Sequence, residues 1–454
     1  MKIKKIVAAL LCLCLVMGVL AGCASKGPLD PKKPVTITFW HTYGQQMNTS
    51  IGALTEEFND TIGKERGITV QINYIADASE VNERLMQTAH GDPGAPEFPD
   101  IAVIYPSIAI ALAQMGFLAD LSVNFNANEL SKYVPEFLEE GRLGGGTLYL
   151  LPIAKSTEVL YVNATLFDRF AADTGVSYSQ LVTFEGLREA AELYYEWSDG
   201  KSFFYSESLF NTAMVGFEQL GDDFLAGSKL NLTSPTFHRI WDAYYPPAVT
   251  GGNAIFDNYS NYLMASGEIV CCTSTTASVT FFPETVIFLD NTQEDLELTV
   301  LPYPVFEGGR KVALQRGGGL CVFKSDEKKE YAAAVFLKWL TEPEQNLRFT
   351  TRTGYLPVTT AAFGGAMDKE LENVTEENVR KLFETVGGMQ GEYRFFVPPV
   401  FDGLDEMQRE YNRSLRRVAD TSREDFLTLL GSQGSQAAYE TVSRGVFDRF
   451  ISNR

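Results

Sequence analysis

The chain has 454 residues, of which 45% are hydrophobic and 21% charged, a composition typical of globular rather than disordered proteins. Its length exceeds what a single hydrophobic core normally supports, so we expect two domains. The formal net charge is −20, and such an acidic surface disfavours nucleic acid and anionic lipid as partners. It does not restrict a small ligand, because a cleft has its own local field.

The N-terminal segment predicts an export signal. Three lysines within the first five residues precede an uncharged run that extends to Ser25. The apolar core of this run, Ile6–Leu20, has about 15 residues and is shorter than the ~20 that a membrane-spanning helix needs. We therefore expect residues 1–22 to be a signal peptide, and the loss of its three lysines takes the net charge from −20 to −23.

The end of this run carries a lipidation motif. Leu20-Ala-Gly-Cys23 resembles the lipobox of bacterial lipoproteins, which implies a diacylglyceryl group and a fatty acid such as palmitate on Cys23. Several acyl chains together anchor a protein firmly. Residues 23–34 are rich in Pro, Gly and Lys and predict a flexible tether. We expect an extracytoplasmic protein anchored by lipid to the cell membrane, with an ordinary signal peptide cut elsewhere as the alternative.

The remaining cysteines predict structural thiols. Cys271, Cys272 and Cys321 each lie in an apolar, strand-like run, which favours buried thiols, with a disulfide through Cys321 as the alternative. The chain has three histidines, which are scattered, and no Cys/His metal spacing occurs. We therefore expect no metal and no cofactor.

Strand and helix patterns alternate from Val35 onward. Strands at Val35–Trp40, Ile68–Ile75 and Asp100–Tyr105 are each followed by a helical pattern. This order predicts an α/β fold with a mostly parallel sheet that is covered on both faces. We expect Ser107 and Ser325 to cap the helices that begin beside them.

Several motifs follow one another in an order that identifies a family. They are Ile37-Thr-Phe-Trp-His41, Leu148-Tyr-Leu-Leu-Pro152, Ala265-Ser-Gly-Glu-Ile269, Gly317-Gly-Gly-Leu-Cys-Val-Phe-Lys-Ser325 and Thr353-Gly-Tyr-Leu-Pro-Val358. In this order they resemble the extracellular solute-binding proteins of ABC importers, the subclass that includes maltose- and glycerol-3-phosphate-binding proteins. The resemblance covers essentially the whole mature chain. It implies a two-lobe, periplasmic-binding-protein-like fold with a ligand cleft between the lobes and three crossing segments.

The resemblance also implies a domain organisation and a mode of action. Lobe 1 would comprise residues 35–152 and 305–352, lobe 2 residues 153–304 and 358–454, and residues 353–357 would form a hinge segment. The protein would be a monomer that captures a small molecule by lobe closure. It would deliver this molecule to the membrane permease subunits of an ABC importer.

Candidate ligand contacts lie where strands end, because open α/β sheets bind ligands beyond the carboxyl ends of their strands. On lobe 1 these candidates are His41, Tyr43, Gln45, Asp77, Ser79, Tyr105 and Ser107. Elsewhere they are Ser156, Thr157, Phe184, Phe210, Ser274, Thr275, Gly317, Gly318 and Tyr355. The matched motifs favour Ser156, Thr275, Gly317, Gly318 and Tyr355.

Structural roles remain open for several of these residues. Tyr355 alternatively locks the hinge, and Ser156 and Thr157 alternatively cap a strand end. Phe184 either lines the cleft or packs beneath it. Many aromatic residues occur between positions 203 and 262; they suit a helical core, and they also suit stacking on the apolar face of a sugar.

The expected ligand is neutral or weakly charged, most simply a mono- or oligosaccharide. Pro106 stands where the glycerol-phosphate branch has a glutamate, and Arg409 and Arg413 are out of register with a phosphate-binding arginine. A buried phosphate without a cationic partner is costly. A glycerol-phosphate or other polyol-derivative binder of the same fold is the nearest alternative.

Catalysis is not expected from the motifs of this chain. It has no Gly-x-Ser-x-Gly, His-Glu-x-x-His or Walker sequence. A surface-anchored carbohydrate-active enzyme with two distant carboxylates stays open as an alternative of a different class, as does an adhesion lipoprotein.

Overall fold

A computed structural model describes residues 27–143, 145–401 and 403–452. The predicted signal peptide and the predicted lipidation site Cys23 lie outside the described residues. Two four-stranded sheets organise the described part of the chain.

The first sheet has the spatial order Gly319–Val322, Ile101–Ile104, Val35–His41 and Ile68–Tyr74. The last three strands are parallel, and Gly319–Val322 pairs antiparallel with Ile101–Ile104. Every residue of Ile101–Ile104 is buried, as expected for a central strand with both faces covered. The predicted mostly parallel arrangement is therefore confirmed for this sheet.

The second sheet has the order Leu298–Leu301, Glu158–Asn163, Cys271–Thr275 and Phe204–Ser206. The buried strand Glu158–Asn163 runs antiparallel to both of its neighbours, whereas Cys271–Thr275 and Phe204–Ser206 are parallel. The remaining strands of the described residues form four short two-stranded ladders. They are Arg142–Leu143 with Thr147–Leu148, Leu225–Ala226 with Lys229–Leu230, Thr285–Ile287 with Gln293–Asp295, and Val312–Leu314 with Arg394–Phe396.

Helices accompany both sheets. Those of the first sheet are Gln45–Phe58, Ala78–His90, Pro106–Gln114, Glu327–Leu340 and Pro343–Thr350, with the short helices Lys64–Arg66, Ala127–Leu130, Pro135–Glu139 and Gly365–Leu371. Those of the second sheet are Ala164–Thr174, Phe184–Trp197, Leu209–Leu220, Pro235–Thr250, Ser260–Ala265, Glu377–Glu392, Leu404–Gln433, Ser435–Ser443 and Val446–Ser452.

Two predicted helix caps are wrong. The helix at Pro106 begins one residue before Ser107, with Tyr105 as its N-cap, because proline at the first helical position needs no hydrogen-bond partner for its nitrogen. Asp326, not Ser325, caps the helix Glu327–Leu340 and accepts hydrogen bonds from the backbone N–H groups of Lys328 and Lys329. A carboxylate at this position also complements the helix dipole.

The cysteine prediction is confirmed. Cys271, Cys272 and Cys321 are free and buried, and burial raises the pKa of all three thiols. Trp40 is buried as well and packs in a cluster behind the first sheet.

Three chain segments cross side by side between the two sheets. Leu151 and Leu320 exchange two backbone hydrogen bonds of 2.9 and 2.8 Å. Ser156 and Arg316 exchange two more of 3.0 and 2.8 Å, and the N–H of Lys155 donates to the carbonyl of Leu356 at 3.2 Å. These bridges make the crossing a defined element rather than a loose connection.

The segment 305–314, which the resemblance assigns to lobe 1, contacts the second sheet's helices and strands. Val305 bridges Thr183, and Val312–Leu314 pairs with Arg394–Phe396. The side-chain amide of Gln219 donates to the carbonyls of Pro304 and Val312, each at 3.0 Å. The chain returns to the first sheet just before the strand Gly319–Val322.

A buried ion pair joins the crossing segments. The side chains of Lys155 and Glu140 form a salt bridge and are only 1% and 8% exposed. The Lys155 ammonium also donates to the carbonyls of Gly317 at 2.9 Å and Gly318 at 3.2 Å. All three ammonium protons therefore have acceptors, which a buried charge requires.

We expect Lys155→Met to lower the free energy of unfolding by about 3–5 kcal/mol, because it leaves the Glu140 carboxylate buried without its cation. Urea denaturation measures the loss. Arg84→Met, in an exposed pair with Glu80, is the control and should cost less than ~1 kcal/mol. Replacing both Lys155 and Glu140 by apolar residues should recover much of the loss, and equal effects of Lys155→Met and Arg84→Met would contradict this role.

Candidate functional site

The carboxyl ends of the first sheet's parallel strands meet at one edge. His41 and Tyr74 end neighbouring strands and are paired in register, and Tyr105 follows the third strand. Tyr74 and Tyr105 are 46% and 48% exposed. The sheet therefore presents two tyrosine rings at the place where open α/β sheets bind ligands.

His41 lies fully buried beneath this edge. Its ring stacks on Tyr43 with 5.7 Å between centroids and lies 5.9 Å from the ring of Tyr74. Neither ring nitrogen has a hydrogen-bond partner in the part of the chain that the structure describes. Burial lowers the pKa of His41 from 6.5 to about 4, so the imidazole is neutral at pH 7.

Three of the predicted tyrosines are brought together. Burial raises the pKa of Tyr43, and the neighbouring Tyr355 and Tyr105 raise it further. Burial also raises the pKa of Tyr355 to about 12, with Tyr105 adding to the shift and Arg316 opposing it. Tyr43, Tyr105 and Tyr355 are therefore close enough to influence one another electrostatically, and Arg316 is close enough to influence Tyr355.

The second sheet presents its own edge to the crossing. Glu158 begins a strand directly opposite Thr275, the last residue of the neighbouring strand. Glu207 follows the parallel strand Phe204–Ser206 and accepts hydrogen bonds from Ser274 Oγ at 2.7 Å and from Ser260 Oγ at 2.6 Å. Ser274 is therefore held in place, and Thr275 is half-buried at the strand end.

The crossing segment 316–318 joins the two edges. Arg316 bridges Ser156 next to the second sheet, and Gly319 pairs with Ile104 of the first sheet. Gly317 has a φ of 102°, which favours glycine. A Cβ on Gly318 would lie 2.8 Å from the carbonyl oxygen of Ile104, so only glycine fits here.

The sequence missed the charged residues of this crossing. Arg316 Nη1 lies 3.3 Å from Glu158 Oε1, and Asn211 Nδ2 donates to the same oxygen at 2.8 Å. Neither Glu158 nor Arg316 was predicted as a contact. The available signal was a pair of opposite charges next to the favoured Ser156 and Gly317.

Several predicted contacts are placed elsewhere or engaged otherwise. Phe184 stacks on Phe306, and Phe210 packs against Tyr411; both rings are buried in the core of the second sheet's helices, because apolar helix faces pack inward. Thr157 is fully buried. Three further candidates are exposed at helix starts: Asp77, Ser79 and Ser107. The side chain of Asp77 caps its helix by accepting a hydrogen bond from the N–H of Ser79. The side chain of Gln45 lies outside the described part.

The aromatic residues between positions 203 and 262 are mostly core. Phe203, Tyr205, Phe217 and Tyr245 are almost fully buried, whereas Tyr259 and Tyr262 are exposed. Most of the aromatic residues in this stretch therefore contribute to the hydrophobic core.

Two arginines of the long helix Leu404–Gln433, Arg409 and Arg413, form ion pairs. Arg409 pairs with Glu406 at 2.7 Å and Arg413 with Glu410 at 3.5 Å, both on the same helix. Gln408 and Asn412 instead turn toward the start of the helix Leu209–Leu220, where they contact Ser208 Oγ and the N–H of Phe210.

A pocket of about 400 Å³ beside the helix Glu327–Leu340 is separate from these edges. Its charged residues pair with one another, Lys338 with Glu129 at 2.7 Å and Lys132 with Glu342 at 3.6 Å. None of the predicted contacts lines it.

Neither a membrane span nor a metal cluster occurs among the described residues. No helix there combines the length and hydropathy of a membrane span. Three or more His, Cys, Asp or Glu side chains do not come together there in a way that would hold a metal ion.

Comparison with known proteins finds a family and relatives that match most of the chain. A family model described as bacterial extracellular solute-binding protein matches residues 53–374. The sn-glycerol-3-phosphate-binding periplasmic protein UgpB of Salmonella typhimurium is 23% identical over 350 residues, which cover 72% of this chain and 75% of that protein.

Solved structures share the fold. The cyclic α-maltosyl-1,6-maltose binding protein from Arthrobacter globiformis has a TM-score of 0.68 and 18% identity, and the match covers 92% of this chain and all of that one (100%). UgpB from Mycobacterium tuberculosis in complex with glycerophosphocholine has a TM-score of 0.64 and 18% identity, with coverage of 92% and 100%. The predicted two-lobe α/β fold is confirmed.

Because buried His41 is neutral in the folded protein, we expect the stability of the protein to depend on pH. Between pH 6.5 and about pH 4 the unfolded chain binds a proton at His41 that the folded protein excludes, so stability falls as the pH falls through this window. We expect the free energy of unfolding to drop by roughly 3 kcal/mol more in the wild type than in His41→Phe. Urea titrations across this range measure the difference, and parallel curves for the two proteins would exclude the effect.

Proposed function

Because the chain belongs to the bacterial extracellular solute-binding protein family, we propose that it captures a neutral or weakly charged mono- or oligosaccharide for an ABC importer. Proteins of this family bind a small molecule outside the cytoplasmic membrane. The ligand class and the contacting residues are our proposal.

One observation carries it: both sheets end at the same crossing. The exposed rings of Tyr74 and Tyr105 lie at the first edge, and Glu158 and Thr275 lie at the second. A ligand that touches both edges binds the closed arrangement better than the open one, and only such differential affinity shifts the lobes toward closure. Aromatic faces and hydroxyl groups suit a sugar ring.

The charges at the crossing support a ligand without a net charge. At the crossing Arg316 pairs with Glu158, and on the helix Leu404–Gln433 Arg409 and Arg413 pair with glutamates of that helix. A phosphate would have to compete with the carboxylate partner of whichever of these three cations it bound.

Glycerol phosphate or another polyol derivative is the second candidate. The relatives named above bind sn-glycerol 3-phosphate and glycerophosphocholine, and the Arg316 side chain is accessible at the crossing. A ligand screen that includes both classes decides between them.

The lobe division that we propose follows the sheets. Lobe 1 comprises residues 35–152 and 319–352, and lobe 2 comprises 153–314 and 358–454, with 353–357 as a hinge segment. The contacts of Val305 with Thr183 and of Val312–Leu314 with Arg394–Phe396 support moving 305–314 into lobe 2.

We also propose that the protein binds without catalysis and acts as a monomer anchored to the membrane through a lipid on Cys23. A binder returns its ligand intact, so incubation with labelled oligosaccharide should yield no shorter products. The appearance of shorter products would favour the carbohydrate-active enzyme.

A thermal melting screen tests the ligand class. A neutral saccharide should raise the melting temperature by mass action, more than sn-glycerol 3-phosphate does. Tyr355→Ala and Ser156→Ala should each weaken binding of that saccharide by more than about tenfold, or ~1.4 kcal/mol. Tyr355→Phe separates the contribution of the hydroxyl from that of the ring, and Ser432→Ala, at an exposed position of the helix Leu404–Gln433, is the matched control for Ser156→Ala. Unchanged affinity in both alanine variants would remove these residues from the site.

Cell fractionation tests the anchor. In a bacterial host that processes lipoproteins, wild-type protein should sediment with the membranes, and Cys23→Ser should shift most of it to the soluble extracytoplasmic fraction, since no acyl chain can then be attached. A variant that stays with the membranes would contradict lipidation at Cys23.

A further inference from the structure

Glu158 and Arg316 form an ion pair of unequal exposure at the crossing. The Glu158 side chain is only 5% exposed, whereas that of Arg316 is 41% exposed. The carboxylate is thus set into the second sheet, and the guanidinium extends from it into accessible space.

The backbone holds this pair in place. Arg316 and Ser156 exchange two backbone hydrogen bonds, and Glu158 follows Ser156 by two residues and pairs with Thr275 in register. Asn211, whose own N–H donates to Ser208 Oγ at 3.2 Å, fixes the carboxylate from a helix start. The pair is therefore built by three separate elements.

Part of the hydrogen-bonding capacity of the Glu158–Arg316 pair is unused. Arg316 Nη1 and Asn211 Nδ2 both approach Oε1 of Glu158, and Oε2 has no hydrogen bond to the described part of the chain. A guanidinium has five N–H donors, and one Arg316 nitrogen is engaged by a side chain. An acceptor and several donors thus remain next to each other at the ligand edge.

The charges of the pair depend on each other. Burial raises the pKa of Glu158, while Arg316 and Asn211 oppose this shift and Glu207 adds to it. An anionic ligand at Arg316 would compete with Glu158 for the guanidinium and would be repelled by the Glu158 carboxylate. A neutral ligand disturbs neither charge.

Resting on the proposed saccharide function, we propose that Glu158 determines the charge selectivity of the cleft. Its carboxylate neutralises Arg316 and so excludes anionic ligands, and Oε2 with the free guanidinium N–H groups binds neighbouring hydroxyls of a neutral sugar. Selectivity then comes from a repulsive element as well as an attractive one.

Glu158→Gln tests this assignment, because it keeps the size and one oxygen that can accept the Asn211 hydrogen bond while removing the charge. Calorimetric titrations use two matched probe sets, neutral maltose and maltotriose, and the anions sn-glycerol 3-phosphate and glucose 6-phosphate. We expect Glu158→Gln to lose about tenfold in affinity for the neutral sugars and to gain about tenfold for the anions. Glu218→Gln, in the pair that Glu218 forms with Arg394, is the control and should bind like the wild type.

The double variant Glu158→Gln with Arg316→Gln should not show the increased affinity for anions, because that increase depends on the Arg316 guanidinium that Glu158→Gln releases from its ion pair. Circular dichroism and melting confirm that each variant folds. Anion affinities of Glu158→Gln equal to those of the wild type would overturn the proposal, as would a gain that persists without Arg316. A wild type that binds no neutral sugar would instead contradict the saccharide function, and a gain for anions in Glu158→Gln would still support the role of Glu158.

Discussion

At the centre of the molecule the ammonium group of Lys155 contacts the carboxylate of Glu140 and the carbonyl oxygens of Gly317 and Gly318. These acceptors belong to different parts of the chain, and the Lys155 backbone bonds to a third crossing strand at Leu356. A buried charge tolerates few geometries, since each missing acceptor is costly. The pair therefore fixes how the crossing segments lie against each other.

The position of the ligand edges follows from this crossing. Arg316 and Gly319 are three residues apart, yet Arg316 bridges Ser156, just before the second sheet's strand Glu158–Asn163, and Gly319 pairs with Ile104 of the first sheet. So short a connection brings the ends of both sheets to one place. In the function that we propose, a small molecule at this place would touch both lobes at once, and that contact would supply the free energy of closure. The same constraint places Glu158 and Arg316 beside the proposed ligand position.

The parts of the fold that rest on local pattern were predictable. Val35–His41 and Ile68–Tyr74 follow from period-two alternation, and Phe184–Trp197 follows from its apolar helical face. The errors arose where two nearby residues compete for one role. Asp326 outcompetes Ser325 as a cap because its carboxylate accepts two N–H bonds, and residue type alone does not rank such neighbours.

The placement of the candidate residues was predictable only in part. Tyr105 and Thr275 lie accessible at strand ends, whereas His41 at a strand end is fully buried. Aromatic type did not separate buried Phe210 from exposed Tyr74. By itself the sequence determined the strand and helix order, the α/β class and the buried state of the cysteines, because periodicity and hydropathy act over short stretches. Only the tertiary structure decided that Lys155 meets Glu140 and that Glu158 meets Arg316. Ion pairs across 15 and 158 residues are chosen by where the backbone places them, and no local pattern encodes that distance.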